Sequence, residues 1–513
     1  MSPRGPAPWQ CGKASHRLAV LMAGVLFVSL GATTILAADA SEGPCAIRGK
    51  ASILLGLYRP EDVRPAEFVA NVPAFDSHNR PYIRSRGSDV HGTGFVQTLE
   101  GDEWVNLDLL GAVRAEFPDF VCTEFCGGWM SGRVVFDRDD DAYTLLRIVL
   151  ADGSRRHLLL YSRDLCRTWR CLVLPMERTG ADQYRKPVPG GKPFYPMRWG
   201  ACAMELPDGP EPLPGPPVIA LWHLVAEHPA RWADRHVLRI VAPVKTDRGL
   251  ELGEIVEVTR DFIGYTQHSG GATCFVTRNG RTHFVWGEVG EDGAPGVPIF
   301  AATLDRRTGR LGPGVLLAHA PPPNDVHCTP GIAMDRAGHL HVITGAHADT
   351  FYHLVSLRPG DVAGGWTSPV PIVTRGWRRS PAEPERGRQT YLGFVRDADD
   401  TLYVVSRQLR RGVDGYHMGH PYRALSLVRR RAGGSWEDAW PLVVPPAPGY
   451  AIYHHHLAMD RDGRLYLVFS YSPRKDDAED AGDPYNSALL LRSADGGETW
   501  RLATTQDFRA GLR

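Results

Sequence analysis

Two histidines, a tyrosine and an arginine are spaced along the chain so that their side chains could meet in one acid–base site. His327 and His347 are 20 residues apart, and Tyr391 and Arg407 follow with a gap of 16. Imidazole acts as a base near neutral pH, and a tyrosine hydroxyl can donate or accept a second proton. Arginine stays charged and presents a fork of donors that fits a carboxylate. The set therefore suits proton transfer next to an acidic group.

One reaction needs this combination. Removing the proton beside a uronic acid carboxylate requires a base, neutralisation of the carboxylate, and an acid for the departing glycosidic oxygen. We therefore predict a catalytic set for β-elimination in a uronic-acid polysaccharide, made of His327, Tyr391, Arg407 and His347. The predicted substrate-binding residues are Tyr450, Tyr453, His454, His268 and Glu288.

Each of these side chains also has a structural interpretation. His327 or His347 alone could satisfy a buried carbonyl, and Tyr391 could be an ordinary strand residue, since tyrosine favours strands. Arg407 could pair with a loop carboxylate. What favours a functional site is that titratable groups fall repeatedly at equivalent positions in the repeated units of the chain.

Those units are marked by seven turn signals, each between two apolar runs and 58 to 71 residues from the next. They are residues 76–79, 137–140, 208–209, 277–280, 335–338, 397–400 and 460–463. Asp, Asn and Gly tolerate the left-handed backbone of a tight hairpin, so each signal predicts the apex between two antiparallel strands. The period predicts an all-β fold, a seven-bladed β-propeller of four-stranded antiparallel sheets.

The propeller fold predicts which residues meet. The innermost strand of a blade starts on the face that carries ligands, and the second strand returns to it, so residues before the first strand and after the second gather there. By this rule His268 and Glu288 belong to blade four, His327 and His347 to blade five, Tyr391 and Arg407 to blade six, and Tyr450, Tyr453 and His454 to blade seven. They should line one cleft.

Two segments share the pattern Ser-x-Asp-x-x-x-Thr-Trp, at residues 162–169 and 493–500. The pattern resembles the Asp box of BNR-repeat propellers, found in sialidases and their relatives. Its Ser and Asp hydrogen-bond the turn backbone, and its tryptophan packs between sheets. We therefore predict that both boxes are structural and lie between the third and fourth strands of blades two and seven.

A second resemblance concerns the chemistry. The segments Asp325-Val-His327-Cys-Thr-Pro330 and Gly345-Ala-His347 resemble the opening repeat of BNR-repeat polysaccharide lyases, a group that includes seven-bladed ulvan lyases. The resemblance implies a pair of histidines in one blade, then a tyrosine in the next blade and an arginine after the hairpin of that same blade. A further tyrosine is implied in the blade that follows. These roles fall on His327, His347, Tyr391, Arg407 and Tyr450 or Tyr453. It also implies that His327 and Tyr391 share the acid and base work, Arg407 holds the uronate and His347 orients the sugar.

The N-terminus predicts export. An apolar stretch at 18–36 follows three basic residues and precedes small residues at 38–40, so residues 1–40 are predicted to be a signal peptide of a secreted or periplasmic protein. An uncleaved anchor is the alternative. Residues 41–65 would form an N-terminal segment that could supply a closing strand, and residues 66–513 the propeller.

Charge and composition limit the classes of partner that we expect for this protein. The 58 basic and 58 acidic residues balance, which disfavours nucleic acid. We expect an acidic polysaccharide as partner, no membrane contact beyond a possible N-terminal anchor, and a monomer. No metal-ligand spacing stands out, so we expect no required cofactor and no catalytic metal, with a structural calcium or zinc left open. Cysteine pairing is also open, the local candidates being Cys166 with Cys171 and Cys122 with Cys126.

Two other functions remain open from the sequence. A sialidase-like glycoside hydrolase would share the Asp boxes and could use Glu288 with a second acid. A non-catalytic carbohydrate-binding propeller would need only aromatic platforms, such as Trp222 and Trp286.

Overall fold

Seven antiparallel sheets follow one another in a propeller ring, which confirms the predicted fold. The computed structural model describes residues 53–54, 68–85, 94–124, 133–176, 201–228, 232–266, 269–291, 293–372, 386–411, 421–445, 452–471 and 487–513. The predicted signal peptide lies outside these ranges. No helix in the described ranges is long and apolar enough to cross a membrane.

The first four blades are built as follows. Blade one comprises Pro73–Phe75, Pro81–Arg84, Phe95–Glu100 and Glu103–Asp108. Blade two comprises a first strand in two pieces, Phe120–Glu124 and Val135–Phe136, then Ala142–Leu150, Arg155–Ser162 and Arg170–Val173. Blade three comprises Ala201–Met204, Ile219–Ala226, Arg235–Thr246 and Gly249–Phe262. Blade four comprises Phe275–Arg278, Arg281–Gly287, Val297–Asp305 and Val315–Ala320.

The remaining blades follow the same order. Blade five comprises Gly331–Met334, Leu340–Ile343, Tyr352–Val355 and Val370–Pro371. Blade six comprises Gln389–Arg396, Leu402–Arg411, Pro421–Arg430 and Trp440–Val444. Blade seven comprises Ile452–Met459, Leu465–Tyr471, Ser487–Ser493 and Arg501–Leu502. Short helices are Gly111–Glu116 and Thr505–Arg509, with 3-10 turns at Val326–Cys328 and Val362–Gly364.

Two short strands extend blade six. His347–Asp349 pairs with Gln389–Arg396 on the inner edge of the blade. Ile53–Leu54 pairs in parallel with Val443 and Val444 on the outer edge, so the N-terminal segment adds a strand to blade six. Blade seven already has four strands of its own.

All seven predicted turn segments lie between the first and second strands of their blades, and all but the one at 208–209 form short hairpins. Asn79, Asp140, Asn279 and Asp400 have φ between 52° and 62°, as tight turns require. We call the face that carries these turns the hairpin face, and the opposite one the ligand face.

The turn predicted at 208–209 is instead a long loop, residues 205–218. Its prolines at 207, 210, 212, 214, 216 and 217 lack the N–H that a strand ladder needs. The loop reaches across the axis: the Asp208 carbonyl accepts from the Arg396 amide at 2.8 Å, and the Pro210 carbonyl accepts from Arg461 at 2.9 Å. Blades six and seven are thereby joined to blade three at the hairpin face.

Both Asp boxes lie between the third and fourth strands of blades two and seven, as predicted. In the first, the Ser162 hydroxyl donates to Asp164 and accepts from the Cys166 amide. Trp500 of the second is 2% exposed and packs with hydrophobic residues of blades six and seven. Cys166 and Cys171 are free thiols, so this candidate disulfide is not formed.

Among the strands that the structure describes, none is exchanged between blades seven and one, where the ring closes. Asn79 of blade one is 1% exposed; its amide donates to the Gly511 carbonyl at 2.9 Å and to Asp460 at 3.3 Å, and its oxygen accepts from the Arg461 amide. Phe508 of the C-terminal helix packs with residues of both blades. Polar and apolar contacts therefore replace a shared strand.

We expect Asn79→Ala to lower the free energy of unfolding by about 1–3 kcal/mol, because it leaves buried hydrogen-bonding groups of blade seven unsatisfied. Urea unfolding followed by tryptophan fluorescence measures the change. Asn279→Ala is the matched control, since Asn279 has the same left-handed backbone, at φ 52°, but is exposed. Equal losses in the two variants would show that backbone strain alone, and not ring closure, sets the cost.

Candidate functional site

Asp325 joins the two predicted catalytic histidines. Its carboxylate accepts from the Nδ1 atoms of both His327 and His347, the latter at 2.7 Å, and from the His327 amide at 2.7 Å. The last bond caps the 3-10 turn Val326–Cys328 that precedes blade five. Because a carboxylate only accepts, both rings carry their proton on Nδ1, and the Nε2 of neutral His327 presents a lone pair.

That nitrogen faces the predicted tyrosine of the next blade. His327 Nε2 lies 3.1 Å from the Tyr391 hydroxyl, which lies 3.2 Å from the Tyr453 hydroxyl of blade seven. The Arg407 guanidinium carbon lies over the Tyr391 ring at 4.5 Å and over the Tyr453 ring at 5.6 Å. His327 and His347 stack, with ring centroids 4.3 Å apart. Thus the structure brings together all four residues predicted as catalytic, with Tyr453.

Irregular backbone aims Tyr391 into the site. Its φ is 61°, and the pairing of the first and second strands of blade six shifts register between Thr390 and Gly393, as a β-bulge does. The same irregularity occurs in blade seven, where His454 has φ 48° and the strand pairing shifts register between Tyr453 and His456. Non-glycine residues adopt this conformation only where neighbouring contacts hold them.

His455 supplies those contacts. Its Nε2 donates to the Tyr391 carbonyl at 3.0 Å, and its Nδ1 then accepts from the Ser269 hydroxyl at 3.1 Å. Gly270 presses against the bulge, where a Cβ would lie 2.6 Å from the Tyr391 carbonyl carbon. Burial and the charge of Arg407 lower the pKa of His455 to about 3, so His455 stays neutral while it holds the bulge.

The electrostatics of the site keep Asp325 charged and His327 neutral. Burial raises the pKa of Asp325, but the hydrogen bonds from His327 and His347 outweigh it and hold this pKa below its usual range. Burial lowers the pKa of His327 from 6.5; the hydrogen bond to Asp325 opposes the shift, and the nearby charges of His347 and Arg407 add to it. His327 is therefore an available base at neutral pH.

Access to the site is uneven. Tyr391, Arg407 and His327 are only 3, 5 and 8% exposed, whereas the His347 side chain is 35% exposed and Tyr453 is partly exposed. The Trp232 ring meets the His327 ring edge to face at 5.8 Å. A ligand would therefore approach along His347 and Tyr453.

The other predicted binding residues are placed less centrally. The His454 ring packs on Tyr453 at 4.1 Å. Glu288 accepts from the Trp286 indole at 2.9 Å, and no contact among the described residues joins Glu288 to the set around Asp325. His268 and Tyr450 lie outside the described residues. Sequence reasoning missed Asp325, His455 and Ser269 as parts of the site, although Asp325 stands two residues before His327.

Asp325, His327 and His347 each offer one atom to a metal ion, all within 4.8 Å of one another. The two Nδ1 atoms already donate to the two carboxylate oxygens, so the three groups satisfy one another without an ion. That activity needs no metal stays a prediction, which dialysis against a chelator would test.

Comparison with known proteins supports the repeat assignment. Residues 303–510 match the BNR repeat-containing family, which confirms the resemblance that the Asp boxes carry. The matched region contains blades five to seven. A search of curated protein sequences finds no match to this chain.

Several solved structures are similar to this chain. An ulvan lyase bound to GlcA(1-4)Rha3S is 11% identical, over 72% of this chain and 81% of that one, with a TM-score of 0.41. A Trypanosoma rangeli sialidase in complex with sialic acid is 11% identical, over 85% and 61%, with a TM-score of 0.40. A Penicillium chrysogenum alpha-L-arabinanase is 12% identical, over 73% and 94%, with a TM-score of 0.34. At such identities the likeness concerns the propeller fold, which hosts different chemistries.

Proposed function

We propose that this protein is an exported polysaccharide lyase that cleaves a uronic-acid-containing polysaccharide by β-elimination. The observation that supports this most directly is the hydrogen-bonded chain from Asp325 through His327 to Tyr391, with Arg407 packed on the tyrosine ring. Two neighbouring blades thereby hold together the histidine, the tyrosine and the arginine to which we assign the base, the acid and the carboxylate-binding cation.

Arg407 neutralises the substrate in this mechanism. The carboxylate of the uronic acid binds the guanidinium, whose N–H groups can donate to both carboxylate oxygens. Removing the C5 proton places negative charge on that carboxylate, and a fixed cation in a buried site stabilises it more than water does. Arg407 is held by contact with the rings of Tyr391 and Tyr453, so its position is set before the substrate arrives.

Two groups move the protons. Neutral His327 takes the C5 proton on Nε2, the electron pair forms the C4–C5 double bond, and the C4–O bond breaks. The Tyr391 hydroxyl gives its proton to the departing oxygen. The protonated His327 then returns a proton to the Tyr391 phenolate across the 3.1 Å contact, which restores both groups for the next cycle. His347, the most exposed of the four, orients the sugar.

The test is spectroscopic. Elimination makes an unsaturated uronate that absorbs at about 235 nm, whereas hydrolysis makes none. The purified full chain is incubated with sulfated and unsulfated uronate polysaccharides while absorbance and reducing ends are both followed. A joint rise supports the lyase; reducing ends without absorbance indicate a hydrolase, and binding without either indicates a carbohydrate-binding propeller. The last two results would overturn the proposal.

One observation disfavours the hydrolase. Hydrolysis by the usual route needs two carboxyl groups flanking the bond. Among the described residues of the set, Asp325 is the one carboxyl group, and both of its oxygens accept from histidines. An Asp with a lowered pKa held in this way is a poor acid.

The pH dependence follows from the lowered pKa of His327. The base must be neutral, so the rate should fall as the pH drops through this pKa, and the acid limb of kcat/KM should lie below pH 6.5, the ordinary value for histidine. Asp325 raises the His327 pKa, so Asp325→Asn should move the acid limb to still lower pH. An acid limb above pH 7, or one that Asp325→Asn leaves unmoved, would contradict the role of His327 as the base.

A further inference from the structure

A second group of buried basic side chains lies in blade two, away from the site in blades five to seven. Arg133, Arg147 and His157 are 8, 4 and 7% exposed. Arg133 lies two residues before the inner strand piece Val135–Phe136, which places it at the ligand-face end of the blade, as His327 is in blade five. Its carbonyl accepts from the Thr144 hydroxyl at 2.7 Å, which fixes the backbone there.

The three side chains project from the same side of the sheet. Val135 pairs with Tyr143, and both pack against blade three, as does Leu145. Because side chains alternate along a strand, Arg133 and Arg147 share that side with Val135 and Leu145. His157 is the direct cross-strand partner of Arg147, so these two are close neighbours.

The cluster has more positive charge than the described chain balances. Arg133 Nε and Nη2 and His157 Nε2 are buried, and no described group bonds them. Burial lowers the pKa of Arg133 to about 9, with no carboxylate opposing the shift. Glu124 is the backbone strand partner of Arg147. Among the described residues no carboxylate contacts Arg133, and a buried cation without a counter-charge is costly.

We infer that Arg133, Arg147 and His157 form a binding site for an oxyanion between blades two and three, at the rim of the ligand face. A sulfate ester or a second carboxylate on a bound polysaccharide has the required chemistry, and so has inorganic sulfate. Two guanidinium groups with an imidazole donor match three oxygens on one centre. The site does not depend on the lyase proposal, because binding an oxyanion needs no catalysis.

Isothermal titration of the full chain with sodium sulfate, at constant ionic strength, tests the site. We expect one saturable sulfate per chain. Arg133→Met should weaken binding about ten- to hundredfold, because a charged hydrogen-bonding group is lost. Arg358→Met is the matched control, since Arg358 has a 74% exposed side chain in blade five, and this variant should bind as the wild type does.

A second arm separates the two sources of oxyanion. Binding of a sulfated oligosaccharide is compared with binding of its desulfated form. If the sulfated form binds more tightly and Arg133→Met abolishes this difference, the site binds a sulfate group of the polymer, even if free sulfate binds weakly. Should Arg133→Met fail to fold, Arg133→Lys keeps the charge without the fork, and selenate in wild-type crystals should give an anomalous peak beside Arg133. Sulfate and oligosaccharide binding that Arg133 variants leave unchanged, or no peak there, would overturn the inference.

Discussion

Tyr391→Phe is expected to reduce kcat for elimination by about a hundred- to ten-thousandfold, the range that one general acid or base contributes. Phenylalanine keeps the ring that Arg407 covers at 4.5 Å and removes only the hydroxyl that lies 3.1 Å from His327. The loss should therefore fall on the chemical step, with KM little changed. Initial rates at about 235 nm over a range of substrate concentrations measure both constants.

Tyr403→Phe is the matched control. Tyr403 belongs to the same blade, but its hydroxyl donates to Asp397 at 2.8 Å on the hairpin face. This variant removes the same atom far from the site and should retain the wild-type rate. Tyr453→Phe should fall between the two, because the Tyr453 hydroxyl contacts Tyr391 without reaching His327 by any described bond. A Tyr391→Phe enzyme within tenfold of the wild type would exclude Tyr391 as the acid.

Arg407→Met is expected to lower kcat/KM by about a hundred- to thousandfold, as loss of a charge-stabilising donor does elsewhere. Arg407→Lys should recover only part of this, because an ammonium group lacks the fork and packs poorly against the two tyrosine rings. Arg336→Met controls for loss of a surface guanidinium, since Arg336 is 63% exposed and its ion pair with Asp400 contributes little.

A second substrate isolates what Arg407 does. Methyl esterification removes the carboxylate charge of the uronic acid. The wild type should therefore prefer the free acid, and Arg407→Met should lose most of that preference. An enzyme that loses activity without losing the preference would show that Arg407 acts by holding Tyr391, not by binding the carboxylate.

The sequence determined the fold because propeller blades are specified locally. Turns such as 335–338 and 460–463 carry their conformation in the residues that tolerate a left-handed backbone. The Asp boxes likewise bond within eight residues, as Ser493 does to Asp495 and Gly497. The loop at 205–218 was not predicted from the local sequence, because its conformation depends on contacts with blades that are distant in the chain.

The sequence also determined which predicted catalytic residues meet, since the position of a residue within its blade decides the face on which it lies. It did not reveal how they are held. Asp325 could have been suspected from its place before His327, but its bond to His347 depends on how blades five and six pack.

Only the tertiary structure decided the orientation of Tyr391. Regular alternation predicts one direction for its side chain, and the bulge at φ 61° gives another. The bulge is held by His455 and Gly270, which come from blade seven and the entry to blade four. Strand period and turn chemistry are properties of neighbours in the chain, whereas a strained backbone is stabilised by whatever folds against it. The four residues predicted as catalytic could therefore be identified from the sequence, whereas the residues that hold them and the geometry of the site could not.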